Sequence, residues 1–69
     1  MIICNKCGKK LVVENNILKE DYIFIRKEWG YFSKKDGQIH TFFVCESCYD
    51  KWTEQFRLPV KVEEQTELL

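Results

Sequence analysis

Two Cys-x-x-Cys pairs, Cys4-Asn5-Lys6-Cys7 and Cys45-Glu46-Ser47-Cys48, hold all four cysteines of the chain, with 37 residues between them. A two-residue spacer lets both sulfurs of a pair turn toward one point, about 2.3 Å from a tetrahedral Zn²⁺, while N–H groups of the turn donate to the thiolates. Two such pairs make a complete ligand set. Any fold open to this chain must therefore bring its N-terminal pair against a pair 37 residues further on.

Shortness makes that demand decisive. The chain has 69 residues, room for one domain and no second lobe. A chain of this size buries only about 60% of its unfolded surface, and domains this small usually add a staple to their hydrophobic core. One structural Zn²⁺ per chain, held by Cys4, Cys7, Cys45 and Cys48, is the expected staple. Disulfides compete for the same residues, but the opening Met1-Ile2-Ile3-Cys4 has no basic leader and no apolar stretch of signal-peptide length. The longest apolar runs, Leu11-Val12-Val13 and Phe42-Phe43-Val44-Cys45, are far too short to span a membrane. Both points lead to a cytoplasmic setting, where thiols stay reduced and paired cysteines favour metal.

Two other thiol chemistries fit less well. A rubredoxin-like iron site resembles two matching Cys-x-x-Cys-Gly knuckles, whereas here Gly8 follows Cys7 and Tyr49 follows Cys48. A thioredoxin-like redox role asks for a βαβ pattern around the pair, and neither pair has one.

The segments between the pairs read as follows. Gly8 tightens the first knuckle, Leu11-Val12-Val13 suits a short strand, and Glu14-Asn15-Asn16 carries turn chemistry. Residues 20–45 predict a β-hairpin: Tyr22-Ile23-Phe24-Ile25 and Ile39 to Val44 are β-branched and aromatic, and Ser33-Lys34-Lys35-Asp36-Gly37 supplies an Asp-Gly turn. Gly30, between Trp29 and Tyr31, suggests a bulge or a close backbone approach. After the second pair, Cys48, Tyr49, Trp52 and Phe56 share one face of a predicted helix of about three turns that Pro59 stops near Arg57 or Leu58. The face carrying Tyr49, Trp52 and Phe56 is expected to pack on the hairpin, with Phe24 and Phe43 in the same core. Val60-Lys61-Val62 alternates like a strand, residues 1–62 form one domain, and 63–69 form a polar tail whose Leu68 and Leu69 would dock only in a suitable groove.

Knuckle, hairpin and ligand-bearing helix together resemble a treble-clef zinc finger, over Cys4 to about Leu58. The resemblance implies an α+β domain in which Cys4 and Cys7 are knuckle ligands, Cys45 the hairpin-end ligand and Cys48 the helix ligand. Lys6, Lys9 and Lys10 would offset the two negative charges of a Zn(Cys)₄ unit.

The remaining residues narrow the role. A closed set of four thiolates leaves no open metal position, no Gly-rich phosphate loop is present, and no nucleophile has a His-carboxylate partnership, so no enzyme is expected. His40 reads as a surface or cross-strand residue, a fifth ligand being unnecessary. Eleven basic residues balance eleven acidic ones, which disfavours phosphate-driven binding. The charges are nonetheless sorted, with a net of +4 over residues 1–35 (eight basic, four acidic) and −4 over 36–69 (three basic, seven acidic). Ten aromatic residues exceed what so small a core can hold, and the surplus, drawn from Trp29, Tyr31, Phe32, Phe42 and Tyr49, points to a contact surface. The expectation is a small intracellular zinc module that contacts a protein partner or a second copy of itself through hairpin aromatics. The alternative is a nucleic-acid-binding finger using Arg26, Lys27, Lys34 and Lys35.

Overall fold

A computed structural model describes residues 1–65. Leu68 and Leu69 lie outside the described residues. The elements are β1 (Val13–Glu14), β2 (Ile17–Leu18), β3 (Tyr22–Glu28), β4 (Ile39–Cys45) and α1 (Glu46–Glu54). They make two antiparallel hairpins and one helix, an α+β arrangement in the order knuckle, hairpins, helix.

The small hairpin follows from Asn15 and Asn16. Both stand at positive φ, 52° and 64°, the conformation that a two-residue loop needs to match the twist of its strands, and asparagine tolerates it at low cost. Val13 then pairs with Leu18, and Glu14 with Ile17, so the strand is Val13–Glu14 and not the expected Leu11-Val12-Val13, Glu14 belongs to the strand and not the turn, and Leu11 enters the core instead.

The main hairpin pairs Tyr22 with Cys45 through to Glu28 with Ile39 without a break in register. Side chains alternate, so Ile23 and Ile25 share one face with Phe42 and Val44, and α1 covers that face near the cysteines. Tyr22, Phe24 and Phe43 stack on the other face, with ring centroids 5.6 and 5.0 Å apart. The unbroken register leaves no bulge at Gly30. A Cβ built there would meet nothing within 4 Å, so no close approach occurs either; Gly30 lies past the ladder, where its carbonyl accepts from Ser33 N–H at 2.9 Å. The loop closes with Trp29 N–H donating to Gln38 (3.0 Å), and Gly37 at φ 89° turns it, as the Asp-Gly signal predicts.

The core differs from the expected one. Its buried residues are Cys4, Leu11, Val44, Cys45 and Cys48, with Ile2, Leu18, Tyr22, Ile23, Phe42 and Tyr49 packed around them. Phe24 is 52% exposed, Trp52 38% and Phe56 43%, and Phe43 is only half-buried, so these four lie outside the core. Tyr49 alone of the predicted helix face is packed against it. Phe56 lies beyond α1, which ends at Glu54 after nine residues, and Trp52 meets β4 only across a solvent-open cleft lined by Phe42 and Val44.

The helix also stops earlier than Pro59 would require. Gln55 N–H turns back to Trp52 and Phe56 N–H to Thr53, both at 3.1 Å, and such i to i−3 bonds tighten and end a last turn. Trp52 and Phe56 then meet edge to face at 5.8 Å. Val60-Lys61-Val62 is not a strand; it pairs with no backbone among the described residues. Alternation without an adjacent free edge has nothing to bond to.

Candidate metal centre

Each cysteine is placed by a local device. In the knuckle, Gly8 N–H donates to Cys4 O (2.8 Å) and Cys4 N–H to Lys9 O (2.9 Å), with Ile3 and Lys10 bridged beyond them. Gly8 makes this possible at φ 81°, a left-handed conformation that a side chain would oppose. Cys45 is at once the last residue of β4 and the N-cap of α1, and Cys48 stands in the helix's first turn. Cys45 makes no side-chain capping bond; its sulfur turns to the other cysteines.

The two pairs meet because Asn5 is stitched to β4. Its backbone N–H donates to Phe43 O, and its side-chain Oδ1 accepts from Phe43 N–H, each at 2.8 Å. One residue thereby satisfies both polar groups of Phe43 on the free edge of β4, as a third strand would. Cys45 N–H then reaches Cys4 Sγ at 3.3 Å. Sequence reasoning missed Asn5: its amide marks it as able to bond backbone, but nothing local points to Phe43.

All four sulfurs lie within 4.8 Å of one another. Cys7 Sγ and Cys45 Sγ are 3.8 Å apart, well beyond a disulfide bond of about 2.05 Å. A tetrahedron with metal–sulfur distances of about 2.3 Å has edges of about 3.8 Å, so the donor set fits one metal ion. Cys4, Cys45 and Cys48 are buried, Cys7 is exposed, and all four are free thiols.

The electrostatics are uneven across the cluster. Burial alone would push the Cys4 thiol up, but the amides of Cys45, Cys7 and Lys6 donate to its sulfur and lower it to about 6. Cys48 goes the other way, pushed up to about 12 by burial and then by the neighbouring thiols of Cys45, Cys7 and Cys4. Thiols packed this closely favour one shared cation, and its capture would release their protons. Lys9 is drawn two ways. Its ammonium is raised first by the hydrogen bond to Glu20, and also by negative charge at Glu20, Cys45 and Cys7.

Glu20 is the second residue that sequence reasoning missed. Oε1 takes Lys9 Nζ and Oε2 accepts Val12 N–H at 2.6 Å, tying the knuckle to the small hairpin. His40 stands apart from the cysteines, exposed, with its ring 2.9 Å from Gln38 Oε1 and edge-on to Trp29 at 5.7 Å.

Comparison with family models, with curated proteins and with solved structures finds no match to the chain. Among the described residues, no helix is long and apolar enough to cross a membrane.

Proposed function

We propose that Cys4, Cys7, Cys45 and Cys48 hold one structural Zn²⁺, and that the domain so stapled is an intracellular protein-contact module of treble-clef type. The convergence of four sulfurs within 4.8 Å, three of them buried, carries the metal part. An all-thiolate set suits Zn²⁺, and with four protein ligands no position remains for water or substrate, so the ion's role is structural and the chain is no enzyme.

The protein-contact part rests on the far end of the hairpin. Tyr31 is 82% and Phe32 97% exposed, whereas the cations around them are mostly engaged. Arg26 pairs with Glu28, and the ammonium groups of Lys27 and Lys35 lie over the Trp29 ring at 5.5 and 4.3 Å from its centroid, within cation–π range. Of the four cations that would serve a phosphate backbone, Lys34 alone has none of these contacts. That distribution favours an apolar anchor over nucleic-acid binding.

Native mass spectrometry of the reduced chain tests the metal reading and should give one zinc per chain, with Co²⁺ substitution giving thiolate-to-metal absorption. His40→Ala should keep full zinc content. A reduced, metal-free chain with native far-UV and near-UV spectra would show that the cysteines do not staple the fold.

A further inference from the structure

We infer that this chain pairs with a second copy of itself, the tip of each hairpin seating in a cleft at the root of the other's. The inference rests on the protein-contact reading above and supplies its partner.

The tip is an anchor held ready. Ser33 N–H bonds to Gly30 O, Lys35 N–H to Ser33 Oγ, Asp36 N–H to Ser33 O and Gln38 N–H to Lys35 O, at 2.9 to 3.2 Å. Below them, Trp29 is clamped by Lys27, Lys35 and His40. A loop bonded to itself in this way presents Phe32 and Tyr31 with little further ordering needed on contact, which lowers the entropic cost of association. Lys34 beside them has no ion-pair partner among the described residues.

What such a tip fits is an apolar cleft rimmed by carboxylates, and the chain has one. A cleft of about 310 Å³ is lined by Tyr22, Ile23 and Tyr49, with Asp21 and Glu46 on its rim. Neither rim carboxylate is in an ion pair among the described residues. Ring and slot, cation and carboxylate are complementary. They cannot meet within one chain, because the cleft is at the Tyr22 end of β3 and the tip lies beyond Glu28. Six strand steps of about 3.3 Å put them about 20 Å apart before the loop is counted.

Two hairpins laid antiparallel resolve this. Each tip then reaches the other's root, both contacts form together, and the pair is closed by a two-fold axis instead of growing into a filament.

The test is sedimentation of the full reduced, zinc-loaded chain from micromolar to millimolar concentration. A monomer–dimer equilibrium is expected, and Phe32→Ala should weaken it at least about tenfold. Phe32 is almost wholly exposed, so the variant keeps its fold and its zinc. Charge exchange is more stringent: Lys34→Glu and Glu46→Lys should each remove association, while an equimolar mixture of the two regains it, since both contacts of the mixed pair are again opposite in sign. If Glu46→Lys disturbs the start of α1, Asp21→Lys serves in its place. A strict monomer at millimolar concentration with one zinc per chain overturns the pairing and leaves the zinc module standing. A dimer indifferent to Phe32→Ala and to the exchange overturns it as well. So does a monomer whose tip binds single-stranded oligonucleotide with steep salt dependence, which would assign Phe32 and Lys34 to nucleic acid.

Discussion

The two ends of the main hairpin solve opposite problems with similar residues. At the root, aromatic and aliphatic side chains of β3 and β4 close around the cysteines, and every buried residue among those described lies there. At the tip, three aromatics within four residues build no buried core: Trp29 is partly covered by lysines, its buried Nε1 has no hydrogen-bond partner, and Tyr31 and Phe32 stand in solvent. The root has its order from contacts between segments about 40 residues apart; the tip has it from bonds within ten residues. A chain too short for one continuous core concentrates its long-range contacts at a metal-sized cluster and lets local bonding shape the rest.

Removing the proposed zinc is the severest way to break that contrast. Apparent binding energies of structural zinc, about 10 to 16 kcal/mol, exceed what so small a core supplies. Chelation, or Cys45→Ser, should therefore unfold the root, seen as loss of the helical far-UV signal and of protection at the Cys45 and Val44 amides. Turn bonds within residues 29–38 are local, and transient structure there should outlast the root in hydrogen exchange.

Trp52→Ala is the next largest change and measures how far the core extends. Full burial would make it cost about 3 to 5 kcal/mol. With 38% of its surface exposed, and contacts along the cleft formed by Asn5, Lys6, Phe42 and Val44, about 1 to 2 kcal/mol is expected. Chemical denaturation of the zinc-loaded protein reads the difference, and a loss near the upper figure would mean that Trp52 belongs to the core.

Asn5→Ala comes third. It deletes one arm of the clamp on Phe43 in a partly solvated position, a loss of about 1 kcal/mol, or about 4 to 8 °C in Tm for a domain of this size. Zinc content should stay at one per chain with weakened affinity. Asn5→Asp keeps an acceptor at Oδ1 but adds a negative charge beside the four sulfurs, so it should recover the stability only in part; an Asn5→Ala variant as stable as wild type would show that the side-chain bond is unimportant.

Legibility follows the same division between local and long-range. The cysteine set, the knuckle glycine, the main hairpin and the start of the helix were readable because each is signalled within a few residues; of the small hairpin only the Asn15-Asn16 turn was. The core was not. Helical spacing places Trp52 and Phe56 on one face with Cys48, but whether that face meets the sheet depends on where α1 leaves β4 and on how soon it ends. Asn5 with Phe43, and Lys9 with Glu20 and Val12, join segments whose pairing depends on the assembled cluster, and residue type alone does not announce it. Tyr31 and Phe32 are a different case: too many aromatics for the core was legible, and which of them remain outside followed only from the length of the strands.

The smallest expected effect separates the knuckle's electrostatics from the metal's. Glu20 has its carboxyl lowered first by the hydrogen bond from Lys9 and then by that from Val12 N–H, and Lys9 is raised in turn. A carboxyl lowered on folding contributes stability that is present above its unfolded value and is lost as pH falls through the lower folded value. A lysine raised on folding contributes stability that is present below its unfolded value and is lost as pH rises through the folded one. The pair therefore supports the fold across the neutral range and fails at both extremes. On the acid side its loss overlaps with protonation of the cysteines, which would release the proposed zinc, so the wild-type profile alone cannot separate them. Glu20→Gln does: it keeps an acceptor for Val12 N–H and removes the charge. The variant should lie slightly below wild type in Tm through the neutral range, and the gap should close below the ordinary glutamate range, where both side chains are neutral. High salt should shrink the gap at neutral pH, because Lys9 is half-exposed and its pairing is screened. A gap that persists unchanged into acid would mean that Glu20 acts through its bond to Val12 and not through charge.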